Sequence, residues 1–179
     1  MITTSGTRVF HWKFLSIAAS VLLILGFVGV LRFQRPSPSQ ELFQQYFDPY
    51  PVMSVVRGNT ANGLDPLQIY SAGKYEQFVE LLSSQRNATL KKFKSSKLQL
   101  AYGNALLAIS QPEKAIEVLG QIMQGEDHFL DAQWYLALAH LRLQDYDKSQ
   151  ALLEQLVRQP SIYKSSARKL LASIENADN

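Results

Sequence analysis

A chain of 179 residues has room for one ordinary domain and an appendage, and at 46% hydrophobic and 18% charged its composition is that of a globular protein rather than a disordered one. It contains no cysteine, which excludes disulfides, thiolate metal sites and cysteine nucleophiles together. The formal charge of +3 does not point to nucleic acid: Arg8, Lys13, Arg32 and Arg35 supply four positive charges around one apolar segment, and the rest of the chain sums to −1.

The first predicted element is that apolar segment. Residues 14–31 read FLSIAASVLLILGFVGVL, 18 residues without a charge between Lys13 and Arg32. At 1.5 Å per residue this makes about 27 Å of helix, and Phe10, Trp12 and Phe33 extend it into the interface, so residues 14–33 are predicted to span a bilayer after a short tail, 1–13. A cleaved signal peptide is the rival reading. The apolar core is longer than such peptides use, and no A-x-A-like site precedes the Arg-rich exit. Two Lys/Arg residues sit near each end, so charge alone does not choose the orientation.

Residues 34–63 follow as linker and arm. Gln34 to Gln40 carries two prolines among small polar residues, which favours an extended, solvated spacer. Residues 41–51 then place Phe43, Tyr46, Phe47, Tyr50 and Leu42 in a short run ended by prolines. The expectation is an arm packed on the first helix pair of the domain beyond; the alternative is a partner-docking segment, since aromatic patches mark contact sites.

From residue 64 to 176 the pattern is helical and repeated. Residues 98–119 align with 132–153 at an offset of 34 without a gap. Small residues meet small ones (Gly103 and Ala137, Ala105 and Ala139, Ala115 and Ser149), and apolar residues meet apolar ones (Leu100 and Trp134, Ile109 and Leu143, Leu119 and Leu153). Small side chains at these places allow two antiparallel helices to approach closely, with Ala115 and Ser149 facing Gly103 and Ala137. Turns are predicted at Ser110–Pro112 and Gln144–Tyr146. A weaker copy precedes them, with Gly73 and Tyr75 in the turn and Phe78 where the later copies have Ala115 and Ser149, its step to Ala115 being 37. A last amphipathic segment, 162–174, is predicted to close the array.

This period and this placement of small residues resemble the tetratricopeptide repeat family. The resemblance implies an all-α fold: a right-handed array of antiparallel helix pairs, about two and a half to three repeats with a capping helix. It also implies that function lies on the concave face made by the first helix of each pair. Carried onto this sequence, the groove positions are Lys97, Leu100, Asn104, Leu107 and Ala108 in one repeat and Asp131, Trp134, Leu138, Leu141 and Arg142 in the next. Leu100 and Trp134 are equally placed to be core. Lys97 and Asn104 hint at the family's carboxylate clamp, but Tyr135 stands where the next repeat would need asparagine, so an amphipathic helix or extended peptide is the expected ligand.

No catalytic motif is present: no phosphate-binding glycine loop, no H-E-x-x-H and no G-x-S-x-G. His11, His128 and His140 are too scattered for a metal site, and Asn87-Ala-Thr89 is a chance sequon. No enzyme activity, metal, cofactor, small-molecule substrate or nucleic acid is expected. The function this sequence implies is a membrane-anchored protein–protein interaction module, an adaptor or scaffold binding an envelope partner. The stretch 42–51 with Arg57-Gly58 also resembles one in small single-span repeat proteins of bacterial envelopes, which implies an inner-membrane protein with a periplasmic domain. The alternative is a membrane-linked regulatory component of a sigma/anti-sigma type; the 13-residue tail is too small to fold as an effector domain of its own.

Overall fold

The computed structural model describes residues 36–52, 65–89, 93 and 95–177. Residues Pro38–Asn179 form one compact unit. The predicted spanning segment 14–33 lies outside the described residues, among which no helix is long and apolar enough to cross a membrane. The described residues form eight helices and no strand: α1 Pro38–Tyr46, α2 Pro66–Ser71, α3 Tyr75–Thr89, α4 Ser96–Ala108, α5 Pro112–Leu119, α6 Phe129–Arg142, α7 Tyr146–Arg158 and α8 Lys164–Ala177.

Helices α2 to α8 pack as successive antiparallel neighbours, each on the next, and the first helices of pairs also touch, α2 with α4 and α4 with α6. The pairs are set by three equivalent turns. Gly73, Ser110 and Gln144 each adopt a left-handed conformation, with φ of 72°, 64° and 61°. In each turn the next N–H reaches back to the helix, as Lys74 to the Ile69 carbonyl at 3.2 Å, Gln111 to Leu106 at 2.8 Å and Asp145 to His140 at 2.9 Å. A second, inner bond runs from Gly73 to Tyr70, Ser110 to Leu107 and Gln144 to Leu141. This paired closure satisfies carbonyls that a helix end otherwise leaves open, and the second helix starts two residues on, at Tyr75, Pro112 and Tyr146. The weak first copy in the sequence therefore makes the same turn as the two strong ones.

Within a pair, close approach depends on residue 103. A Cβ there would overlap the Leu119 side chain of α5. In the next pair the hydroxyl of Ser149, buried where Ala115 stands in the preceding repeat, donates to the Ala137 carbonyl at 2.9 Å, so the extra oxygen is satisfied. Phe78, the departure in the first copy, is fully buried against the Tyr70 and Tyr102 rings. Because α2 has only six residues, a ring can fill the space that a full-length helix would fill with backbone.

The arm meets the expectation in part. Its helix α1 packs on α6 and α8 rather than on the first pair α2 and α3, while the residues after it reach that pair, where the Tyr70 hydroxyl bonds the Tyr50 carbonyl. Its inner residues Ser39 and Phe43 are buried, Leu42, Tyr46 and Phe47 are half-buried, and Gln40, Glu41, Gln44 and Gln45 face solvent. The spacing is that of a one-sided amphipathic helix, whose apolar stripe needs a partner surface. The aromatic floor of Trp134 and Tyr135 on α6 and Tyr163, just before α8, provides that surface.

Candidate functional site

The first helices α2, α4 and α6, with α8 after them, form one face of the array, and the segment 38–52 lies across it. The direction follows from contacts along α6. Phe43 sits at the C-terminal end beside Arg142, Phe47 is edge-on to Tyr135 at 6.2 Å between ring centroids, and Tyr50 is edge-on to His128, the residue before α6, at 5.7 Å. The arm thus runs antiparallel to α6.

Aromatic packing carries the helical half of the contact. Phe43 and Phe47 stack at 4.8 Å, Tyr46 meets Trp134 edge-on at 6.5 Å, and Trp134 stacks on Tyr163 at 5.1 Å and 12°. Offset and edge-on geometries of this kind add to the burial of the rings themselves. The Arg142 guanidinium carbon is 4.5 Å from the Phe43 ring centroid. The same guanidinium donates to the Leu107 carbonyl at 2.9 Å and to the Ser110 hydroxyl at 2.7 Å, so it ties α6 to the end of α4 while its face covers Phe43. Burial pulls Arg142 down from its usual pKa.

The extended half, after Tyr46, is held through its main chain. The Tyr135 hydroxyl donates to the Asp48 carbonyl at 2.9 Å, the Tyr70 hydroxyl donates to the Tyr50 carbonyl at 3.0 Å, and the Tyr50 N–H donates to Asn104 Oδ1 at 3.1 Å. Side chains from three successive first helices therefore read one short stretch of backbone. Burial pushes the pKa of Tyr70 and of Tyr135 far up, so both stay neutral donors. At the end of the arm, His128 Nδ1 lies 3.2 Å from the Tyr50 hydroxyl and 3.1 Å from Asp131 Oδ2, and Asp131 Oδ1 accepts from the Tyr163 hydroxyl at 2.8 Å. Burial and the Asp131 charge raise the Tyr50 and Tyr163 hydroxyls above their ordinary pKa, burial being the larger cause for each.

The sequence-predicted groove residues fall into three groups. Leu100, Leu107, Leu138 and Leu141 are fully buried and Trp134 nearly so. Asn104, Asp131 and Arg142 make the polar contacts just described, and Asn104 also donates to the Leu100 carbonyl at 3.3 Å, leaving its amide committed on both sides. Lys97 and Ala108 are half-exposed. Tyr70, His128, Tyr135 and Tyr163 are contact residues that the repeat alignment did not select. A signal for Tyr135 is present: 98–109 and 134–143 are apolar almost all round, and a first helix with one free face would carry polar residues there, whereas Tyr70, His128 and Tyr163 lie outside these stretches.

Beyond the end of the arm an open cleft of about 500 Å³ continues the same end of the array, lined among others by His128, Phe129, Asp131, Ile162 and Tyr163. Ile162 is 85% exposed and Met123, nearby in sequence to its rim, 63%. Among the described residues no group of three or more His, Asp or Glu could hold a metal ion.

Residues 106–174, from the end of α4 into α8, match the sequence model of the tetratricopeptide repeat family, in agreement with the helix pairs and their turns. Repeats of this family generally mediate protein–protein interaction. No curated protein and no solved structure matches the chain.

Proposed function

We propose that this protein is a protein-recognition adaptor, tethered to a membrane by residues 14–33, that takes a helical segment of a partner on its first-helix face. The observation that carries the reading is the seating of 38–52: this face already holds an amphipathic aromatic helix and reads the backbone that follows it. The uncharged stretch 14–31 with its basic flanks supports the tether. A bacterial inner membrane with the domain on the periplasmic side rests on the likeness of 42–58 to envelope repeat proteins, and a reporter fused after Asn179 tests it by its activity on one side or the other.

The experiment for recognition is site-specific photo-cross-linking in native membranes. A photoreactive residue in place of Lys97 or Ile162, both on or beside the arm-bearing face, should give an adduct of one defined mass. One in place of Gln155, exposed on α7, should not. Equal labelling from all three positions, or none from the first two, would contradict the reading. Leu25→Arg should release the chain from carbonate-washed membranes if 14–33 is the anchor, because a charge at mid-span costs about 3 kcal/mol.

A further inference from the structure

We propose that segment 38–52 is a resident ligand of the groove, bound in cis and exchangeable, and that the partner it yields to is an amphipathic helix with aromatic or large apolar residues at the spacing of 42, 43, 46, 47 and 50. This rests on the recognition reading above and specifies its ligand. Four observations carry it.

First, although Phe43 and Val52 reach into the core, the arm is otherwise bound as peptides are bound. Its apolar side chains all lie on one face, its other face is open to solvent, and its extended end is held by side-chain bonds to its main chain. Second, α1 has nine residues, fewer than the ~12–15 an isolated helix needs in water, so its helical state exists only while docked. Elements of this kind open at lower free energy than the helices they rest on. Third, its contacts are remote in sequence, 54 residues for Tyr50 with Asn104 and 87 for Asp48 with Tyr135, whereas every other helix packs on its chain neighbour. Helices α2 to α8 contact one another in succession without passing through it. Fourth, the aromatic floor beneath it, Trp134, Tyr135 and Tyr163, is a surface that needs a cover, and the arm supplies that cover by chemistry any similarly spaced helix could reproduce. Twelve residues join Val52 to Asp65, and a tether this short sets an effective concentration on the order of millimolar, against which a free partner must compete. Binding is thereby thresholded: the arm screens out weak apolar helices and gives way to well-matched ones.

The test uses the full chain in detergent micelles and exploits its lack of cysteine. In Ser39→Cys the new thiol lies on the buried face of α1, and in the control Gln44→Cys it lies on the open face and reports the reagent's intrinsic rate. The probe is a synthetic peptide of residues 38–52. Its addition should speed thiol labelling of Ser39→Cys in a saturable way, by about tenfold at millimolar peptide, by capturing the groove when the arm leaves it. The same peptide with Phe43 and Phe47 replaced by alanine should have no effect. Labelling no faster than global loss of helix, and unmoved by peptide, would overturn the proposal and make the arm a fixed wall. Acceleration that instead depends on protein concentration and accompanies a dimer would also overturn it, in favour of arms swapped between two copies. Photo-cross-links from Lys97 and Ile162 that persist while labelling is insensitive would leave recognition standing and remove only the exchange.

Discussion

The guanidinium of Arg142 lies with its carbon 4.5 Å from the centre of the Phe43 ring while its nitrogens hold the Leu107 carbonyl and the Ser110 hydroxyl. One side chain thus joins the arm, the end of α4 and the end of α6. Arg142→Ala should destabilise the domain by about 2 kcal/mol, the sum of a charge-assisted hydrogen bond and a partly desolvated cation–π contact, read as a lower midpoint in urea. Arg142→Lys should recover less than half of this, because an ammonium cannot offer the planar fork and stacking face together.

Gly103 is required by Leu119. Gly103→Ala should cost about 1–3 kcal/mol, since the new Cβ has no room against α5. If overlap is the cause, the combination with Leu119→Ala should be less destabilised than the sum of the two single changes by about 1 kcal/mol or more, as a double-mutant cycle will show.

How much of this was legible beforehand can be seen from the turns and the arm. The offset of 34 located both strong pairs, their turns at Ser110 and Gln144 and the small residue at 103, because each is a local property repeated in the sequence, and the amphipathic pattern of 162–174 located the closing helix. The weak copy was legible through Gly73 and Tyr75, and its short first helix left little pattern to read. The arm was legible as an aromatic segment, but neither its helix Pro38–Tyr46, which begins inside the expected extended spacer, nor its full seat was. Which face receives it depends on contacts between residues distant in the sequence, Tyr50 with Asn104 and Phe43 with Arg142 among them, for which periodicity holds no information. The groove residues came from family positions, which say where a ligand contacts a free face. They do not say that the chain covers that face itself; the aromatic run 41–51 and the nearly all-round apolar character of α4 and α6 are the sequence traces of it.

Gln144 occupies a left-handed position that glycine adopts without strain, with an exposed side chain. Gln144→Gly should therefore stabilise the domain by roughly 0.5–1 kcal/mol, the relief of strain exceeding the added freedom of the unfolded chain, and raise the melting temperature by about 2–4 °C. No change or a decrease would show that the turn is not strained.

His140 contributes a pH dependence of known sign. Its burial lowers its pKa below the ordinary 6.5, an effect that Asp145, 3.2 Å away, offsets in part and Lys148 reinforces. The unfolded chain then binds the proton more readily than the folded one, so stability is lost as pH falls from 6.5 towards the folded pKa and is level above that window. Asp145, held low chiefly by its hydrogen bond from Lys148, adds its own loss only as pH falls below 3.8 through its folded value. Urea denaturation of His140→Gln should show a flatter profile than wild type between about pH 7 and pH 5; an unchanged slope would assign the dependence to other groups.

The central claim, that 38–52 fills the groove of its own chain antiparallel to α6, is tested most directly by proton–proton NOEs in the isotope-labelled full chain in micelles. The predicted result is a set of contacts from the Phe43 ring to the Arg142 side chain, from Tyr46 to the Trp134 indole and from Tyr50 to the His128 ring, in that order along the arm. Random-coil shifts for residues 38–50 with none of these contacts, or contacts in the reverse order, would contradict it.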